Sequence, residues 1–332
     1  MKVVITGGLG FLGRRLADAL LARGSLIGPS GQAEPVDAVV LFDAVAPAER
    51  PAGLDDRIAI VTGDISDRDT VFSLVDRDDL SLFHLASVVS GGGEKDFDLA
   101  MRVNLDGGRH VLEAMRSPAG GRRLVFTSSI AVFGGPWLPG AVGDDTKQLS
   151  QTTYGITKTI GELLVNDYSR KGFLDGRSAR LPTVIIRPGK PNAAASGFSS
   201  GVFREPLHGV DYVLPVGLDT VMPVLGYRAI VDGMIALHEL PGEALGVDRA
   251  VGLPALTVTV GDMVAALRRV AGKRSLGAIA VEPDPFIEAI CRGWPADTHF
   301  QRALDLGLPC EASLDEIVAY YIADYVDTAP GS

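Results

Sequence analysis

The chain is poor in the residues on which metal and disulfide chemistry depend. It has two cysteines, Cys291 and Cys310, and five histidines in 332 residues. The cysteines lack metal-ligand spacing, and a disulfide framework needs more of them. They read as reduced packing residues of a cytoplasmic protein. The histidines (His84, His110, His208, His238, His299) form no metal-binding pair at helical spacing, so they read as structural and no metal site is expected. No apolar run approaches the roughly 18 residues of a membrane span, so no membrane partner is expected. The first residues carry one lysine, then a strand and glycines, which does not read as a signal peptide. Positive charge is short as well. Thirty-one Lys and Arg against 41 Asp and Glu leave a net charge of −10, which argues against a nucleic-acid partner. Aromatics make up only 6%. What remains, 46% hydrophobic, is ample for a globular core.

Glycine is abundant, and its first cluster is informative. Lys2-Val3-Val4-Ile5-Thr6 is apolar and β-branched, so it reads as a buried strand. It runs into Gly7-Gly8-Leu9-Gly10-Phe11-Leu12-Gly13, after which Leu16, Ala17, Leu20 and Leu21 have helical spacing. A glycine triplet alone is weak evidence. Between a strand and a helix it reads as a dinucleotide fingerprint. Gly7 then serves the tight turn, Gly10 the approach of a pyrophosphate, and Gly13 the packing of helix on strand. The helix N-terminus offers amides to the phosphates. The next strand, Ala38 to Phe42, ends at Asp43, an acid placed for the adenosine ribose diol. With no arginine following immediately, Asp43 favours NAD over NADP. Between this strand and the first helix, Gly24 to Asp37 reads as a long loop.

Strands and helices alternate through the first half. Ile58–Val61 leads to Gly63-Asp64-Ile65, a loop expected near the adenine. Leu82–Ala86 ends at Ser87, a helix from about Phe97 to Met115 carries Asn104, and Leu124–Ser129 delivers Ser129 at its end. Thr183–Pro188 reads as a sixth strand. Such alternation implies a parallel sheet with right-handed crossovers and ligands at the strands' carboxyl ends.

Tyr154 and Lys158 stand four residues apart, one helical turn, on one face. A phenol is a poor base near neutral pH, and a neighbouring ammonium lowers its pKa. Such a phenol can take a proton from an alcohol or give one to a carbonyl. With Ser129 holding the same oxygen, the constellation reads as alcohol–ketone chemistry, which needs a nicotinamide. Asn104 is read either as the holder of a proton-relay water or as a buried structural amide. A substrate bearing a carboxylate would need a counter-charge; Arg187, Lys190 and Arg204 are candidates, Asn192 adds a polar contact, and Ser87, Ser90 and Ser128 are placed for substrate oxygens.

These residues also carry a family resemblance. Thr6 to Gly13, Asp43, Gly63-Asp64-Ile65, His84 to Ser87, Asn104, Phe126 to Ser129, Tyr154 to Lys158 and Arg187-Pro188 together resemble the extended short-chain dehydrogenase/reductases, the NAD-dependent epimerase/dehydratase superfamily. The resemblance covers residues 1 to about 190. It implies Tyr154 as acid/base, Ser129 on the substrate oxygen and Lys158 on the nicotinamide ribose. It implies NAD contacts from Gly7, Gly10, Phe11, Leu12, Asp43, Asp64, Ile65, Leu85, Ala86, Tyr154, Lys158 and Pro188. Less general segments, Ser87 to Asp98, Arg102 to Gly107, Arg187 to Phe198 and Arg204 to Leu207, resemble dehydrogenases of four-carbon sugar acids such as D-erythronate. That implies oxidation of the 2-hydroxyl to a 2-keto acid by NAD. A homodimer is implied too, although its helix patterns equally describe packing within one chain. One departure is Phe133-Gly134, where many sugar-nucleotide epimerases carry tyrosine.

The fold expected is α/β: a Rossmann-type doubly wound parallel sheet with a smaller, interleaved C-terminal α/β substrate domain. We expect an NAD-binding domain over residues 1–188 and a substrate-binding cap over 189–332. Gly189 to Gly226 reads as a loop-bearing cap, Tyr227 to Leu240 and Val260 to Val270 as helices, Ser313 to Glu316 as a capping box, and the last six residues as a frayed tail. Two alternatives to a sugar-acid dehydrogenase stay open. A sugar-nucleotide epimerase or dehydratase would call for a larger cap with more aromatics. A non-catalytic NAD-binding regulator would not need both Tyr154 and Lys158.

Overall fold

The computed structural model describes residues 1–51, 53–117, 120–190 and 195–327. Its main sheet has seven parallel strands: β1 (Lys2–Thr6), β2 (Ala38–Asp43), β3 (Ile58–Thr62), β4 (Leu80–His84), β5 (Arg123–Ser129), β6 (Asp175–Leu181) and β7 (Ala250–Gly252). Their spatial order is β7-β6-β5-β4-β1-β2-β3. The chain therefore builds outward from β1 to β3, returns to β4 on the other side of β1, and builds outward again. The order reverses between β1 and β4, the place where doubly wound sheets open a crevice at their carboxyl ends. Every residue of β1 and of β4 is buried, as a strand covered on both faces requires.

The helices that matter for the site are α1 (Phe11–Arg23), α2 (Gly107–Met115), α3 (Thr153–Arg170), α4 (Phe198–Leu207) and α5 (Tyr227–Glu239). The expected helix from Phe97 to Met115 is present but not uniform. It runs as an α-helical turn Phe97–Ala100, a π-helical stretch Met101–Asp106 and then α2. The expected loop between α1 and β2 contains a small antiparallel hairpin, Ser25–Ile27 with Ala33–Pro35.

Two compact units divide the chain. The first comprises residues 1–132, 152–180 and 231–251; the second comprises 133–151, 181–230 and 252–332. The first contains most of the main sheet and a core of aliphatic residues from β1, β2, β4, β5 and α2, including Val4, Leu82, Val111 and Met115. In the second, Thr183–Ile185 pairs parallel with Val221–Gly226, which pairs antiparallel with Leu256–Thr259. This corrects the expectation that Thr183 to Pro188 is a strand of the main sheet. That place is held by β6, whose sequence, Asp-Gly-Arg-Ser-Ala-Arg-Leu, hides it. Arg177 and Arg180 interrupt the apolar pattern, yet both are buried because their charges are met locally. Arg177 binds the Asp175 carboxylate and the His238 carbonyl, each at 2.9 Å. Arg180 binds Glu162.

Gly189 to Gly226 also holds more regular structure than expected: α4, with Pro206 in its last turn, and the strand Tyr212–Leu214. Phe198, Val202, Phe203 and Leu207 form its buried stripe among glycine and serine. At Ser313 the hydroxyl caps the Glu316 amide, but Glu316 turns back to the Ala312 amide, so the reciprocal box is absent there. It occurs instead at Thr259 and Asp262. Both cysteines are free; Cys310 is exposed and so is not the packing residue expected. The tail residues 328–332 lie outside the described part.

Within the second unit, the start of α5 is capped by a distant carboxylate. Glu311, 6% exposed, accepts from the Gly226 amide at 3.0 Å and the Ala229 amide at 3.3 Å. A side chain at 226 would occupy that carboxylate's place, which explains Gly226. Glu311→Ala is expected to destabilise the fold by about 1–3 kcal/mol, because buried amides lose their acceptor. A thermal melt indistinguishable from wild type would contradict this.

Candidate active site

The glycine turn after β1 is built by contacts that tolerate no side chain. Gly7 has φ +67°, and a Cβ there would lie 2.9 Å from the Ala86 nitrogen. A Cβ on Gly13 would lie 2.6 Å from the Gly7 carbonyl, so α1 starts in direct contact with the turn. The N-cap of α1 is Gly10, which offers no side-chain cap. The first-turn amides thus open beside bare backbone, the arrangement a pyrophosphate uses. Phe11 and Leu12 form that turn and are half-buried. Leu85 and Ala86, after β4, are tied to β1: the Leu85 amide donates to the Thr6 carbonyl at 3.0 Å, and the Ala86 amide to the Thr6 hydroxyl at 3.3 Å. The same hydroxyl pairs with His84 Nδ1 at 2.6 Å. Burial holds His84 neutral, its pKa pushed down to about 3 with the Lys158 charge adding to the effect.

Asp43 ends β2 and points back at the turn. Its carboxylate accepts from the Leu9 amide at 3.0 Å and the Ala44 amide at 2.8 Å. It is therefore fixed in orientation, with acceptor capacity left over for a diol. Asp43→Ala is expected to weaken NAD binding and to relax discrimination against NADP. Dissociation constants for both cofactors check this, and an unchanged ratio would show that another group reads the ribose. Asp64 is exposed and accepts from the amide and hydroxyl of Ser66, which lower its pKa. Ile65 is buried, and its side chain packs where a Cβ on Gly107 would stand.

At the next strand ends the polar groups converge. Ser129 ends β5, and its Oγ accepts from the Ala131 amide at 3.1 Å. Ser129 also hydrogen-bonds Tyr154. Tyr154 lies in the first turn of α3, whose N-cap Thr152 accepts from the Gly155 amide at 3.1 Å. Lys158 is 3% exposed. Its Nζ donates to the Thr127 carbonyl at 2.7 Å and lies 5.5 Å from the centre of the Tyr154 ring. The spacing of Tyr154 and Lys158 suggested that the ammonium would lower the phenol. The Tyr154 pKa is pushed up by desolvation, against the pull of the Ser129 hydrogen bond. Lys158 is pulled down to about 7 by its own desolvation, against the attraction of Glu162. Ser128 is buried, and its Oγ has no hydrogen-bond partner among the described residues.

Asn104, in the π-helical stretch, is saturated. Its amide nitrogen donates to the Val88 carbonyl and the Thr157 hydroxyl, and its oxygen accepts from the Val88 amide and the Ser87 hydroxyl, all between 2.7 and 3.2 Å. An amide has two donors and two lone pairs. None is left for a relay water, so the structural alternative for Asn104 is the one this geometry matches. Ser87 is half-buried with its hydroxyl on this amide, and Ser90 begins a short helix, Ser90–Lys95.

The remaining candidates belong to the second unit. Arg187 is half-buried, and its guanidinium has no hydrogen-bond or ion-pair partner among the described residues. Burial lowers its pKa, and the Arg204 charge adds to this. Arg204 is already engaged: it binds Glu205 and donates to the Arg187 carbonyl at 2.9 Å. Lys190 is exposed. Pro188 follows the strand Thr183–Ile185 of the second unit, not a strand of the main sheet as expected. Asn192 lies outside the described residues. The sequence reading passed over Thr6, Thr127, Thr157 and Glu162. Thr157 and Glu162 fall at helical spacing from Tyr154 and Lys158, and that spacing is the signal that points to them.

A reversal point in a parallel sheet, a side-chain-free turn at a helix start and a Ser–Tyr–Lys set beside it define a dinucleotide-dependent enzyme of the Rossmann class. The NAD dependent epimerase/dehydratase family model matches residues 3–245, and the chain belongs to that family. Its cofactor is NAD. The chain is 50% identical over 325 residues to a D-erythronate dehydrogenase of Cupriavidus necator, covering 98% of both proteins. It is 38% identical to the D-erythronate dehydrogenase of Haemophilus influenzae, over 97% of this chain and 99% of that one. Among solved structures, a nucleoside-diphosphate-sugar epimerase from Agrobacterium tumefaciens superposes with a TM-score of 0.90 at 41% identity, over 98% of this chain and 95% of that one.

Proposed function

We propose that the chain is an NAD-dependent dehydrogenase that oxidises the C2 hydroxyl of a four-carbon sugar acid, D-erythronate or a close stereoisomer, to the 2-keto acid. The observation that carries this reading is the bonded Ser129–Tyr154 pair with buried Lys158 beneath it, at the carboxyl end of β5. The two D-erythronate dehydrogenase relatives, matched over nearly full length, support the substrate class. When bound, NAD supplies the acceptor for the hydrogen on C2. Gly7, Gly10, Phe11 and Leu12 would hold its pyrophosphate, Asp43 its adenosine ribose and Lys158 its nicotinamide ribose. Asp64, Ile65, Leu85, Ala86 and Pro188 are further contacts in this reading.

Tyr154 takes the hydroxyl proton, Ser129 orients the reacting oxygen, and charged Lys158 stabilises the phenolate. Asn104 holds Ser87 and Val88 against α3. Arg187 is the preferred counter-charge for the substrate carboxylate, since a guanidinium fork without a partner among the described residues suits bidentate pairing. Arg204 supports it by holding its backbone. Ser87 and Ser128 serve the remaining hydroxyls, Ser128 with a buried Oγ that has no partner among the described residues; Lys190 and Asn192 are further candidates for substrate contact. In domain terms, the first unit is the NAD-binding part and the second the substrate part. A homodimer and a cytoplasmic setting belong to the same reading. No helix among the described residues is long and apolar enough to cross a membrane.

A second reading has one observation in its favour: the superposed Agrobacterium structure bears the name of a sugar-nucleotide epimerase. The test is absorbance at the NADH band with NAD and a panel of C4 sugar acids. The proposal expects NADH to accumulate with D-erythronate. Turnover of UDP- or dTDP-sugars without net NADH would support the epimerase instead.

A further inference from the structure

One buried ion pair stands behind the proposed catalytic residues. Tyr154, Lys158 and Glu162 are spaced by four along α3, so they stack on one face in successive turns. Glu162 is only 2% exposed. Arg180 of β6, 5% exposed, grips it with a fork: Nε lies 3.0 and 3.1 Å from the two carboxylate oxygens, and a terminal nitrogen 2.8 Å from one of them. Such bidentate pairing fixes the carboxylate in place. The polar and aromatic groups facing Lys158 are Tyr154 and Glu162 on its own helix, His84 of β4, and the Thr127 carbonyl and Phe126 ring of β5. His84 is neutral and Tyr154 begins neutral. Among the described residues, Glu162 is thus the carboxylate acting on Lys158.

We infer that Glu162, clamped by Arg180, is a positioning residue that acts through Lys158, favouring the ammonium form where the Tyr154 phenol must give up its proton. This rests on the reading of Tyr154 as the acid/base. Without that carboxylate, burial alone governs Lys158, and desolvation favours the neutral amine. A neutral amine does not stabilise a phenolate. Phenol deprotonation, and with it the rise of kcat with pH, then moves to higher pH.

The test is the pH profile of kcat for Glu162→Gln, an isosteric change that keeps a hydrogen-bonding partner for Arg180. The expected result is an alkaline shift of about one pH unit, which is about tenfold in kcat at pH 7, with little change in KM for the sugar acid. Glu162→Asp should restore most of the wild-type profile. A profile that does not move, whatever happens to kcat, would overturn the inference, because a purely structural pair would lower the rate evenly across pH. If Glu162→Gln does not fold, the double variant E162M/R180M removes both charges at similar volume, a change that buried pairs often tolerate. It should show a smaller shift of the same sign, and no shift would again defeat the idea. The two levels separate cleanly. An inert Tyr154→Phe with an unmoved Glu162→Gln profile sinks this inference alone, whereas an active Tyr154→Phe sinks the catalytic reading beneath it.

Discussion

Tyr154→Phe is expected to lower kcat by about 10²- to 10⁴-fold, the usual contribution of a positioned acid/base, while NAD still binds. The change removes one oxygen and little else. The ring stays half-buried in the first turn of α3, and Lys158 keeps its bond to the Thr127 carbonyl. What goes is the phenol hydrogen-bonded to Ser129. Proton removal from a carbinol then has no acceptor at the right place. Because burial pushes the phenol up, the wild-type rate in the oxidation direction should rise with pH, and the residual rate of the variant should lose that dependence. Cofactor binding, followed by protein fluorescence, serves as the control for folding. A variant within a few-fold of wild type would mean that another group moves the proton.

Arg180→Ala is expected to cost about 3–5 kcal/mol, since it leaves Glu162 as a buried carboxylate without its fork. The loss exceeds that of an ordinary surface pair because both side chains are almost entirely excluded from solvent. A pair such as Arg269–Asp315, with both partners well exposed, contributes far less, because solvent screens it. The sign of the first effect is independent of activity, so it can be read in a melt followed by circular dichroism. Several degrees of lost Tm are expected, and the double variant E162M/R180M should recover much of it. An unchanged melt for Arg180→Ala would show that solvent reaches Glu162 after all.

What could be read from the chain divides along physical lines. Strands covered on both faces announce themselves as apolar runs, so β1, β2, β3 and β5 were legible nearly to the residue, while β4 was found but runs Leu80–His84 and not Leu82–Ala86. Gly7 and Gly13 were legible because the turn has no room for alternatives. β6 was not, because its burial depends on partners distant in sequence: the Arg180–Glu162 ion pair, and the hydrogen bond from Arg177 to the His238 carbonyl. Pattern reading scores those arginines as surface. The strand Thr183–Ile185 looked like the missing one since it is short and β-branched; nothing local tells which sheet a short strand joins. The π-helical stretch at Met101–Asp106 has no sequence signature here, and it places Asn104 where all four of its hydrogen bonds are made within the protein.

The protonation of the site was the other thing spacing could not give. One turn between Tyr154 and Lys158 predicts attraction between their charged forms. It says nothing of how far each is desolvated, and here desolvation dominates: half-buried Tyr154 has its phenol pushed up, and almost wholly buried Lys158 is pulled down to about 7. The candidate carboxylate receptor was only half legible. Arg187, Lys190 and Arg204 looked equivalent as charges. In the fold Arg204 is spent on Glu205 and Lys190 stands in solvent, which leaves Arg187 as the guanidinium without a described partner.

The most direct measurement follows one atom. D-erythronate carrying deuterium at C2 is mixed with the protein and NAD, and the cofactor is recovered and weighed by mass spectrometry. A dehydrogenase built on Tyr154 delivers that deuterium to the nicotinamide, giving reduced cofactor one mass unit heavier in step with the 2-keto acid formed. Reduced cofactor of ordinary mass, or a sugar acid returned with its label and no reduced cofactor released, would contradict it.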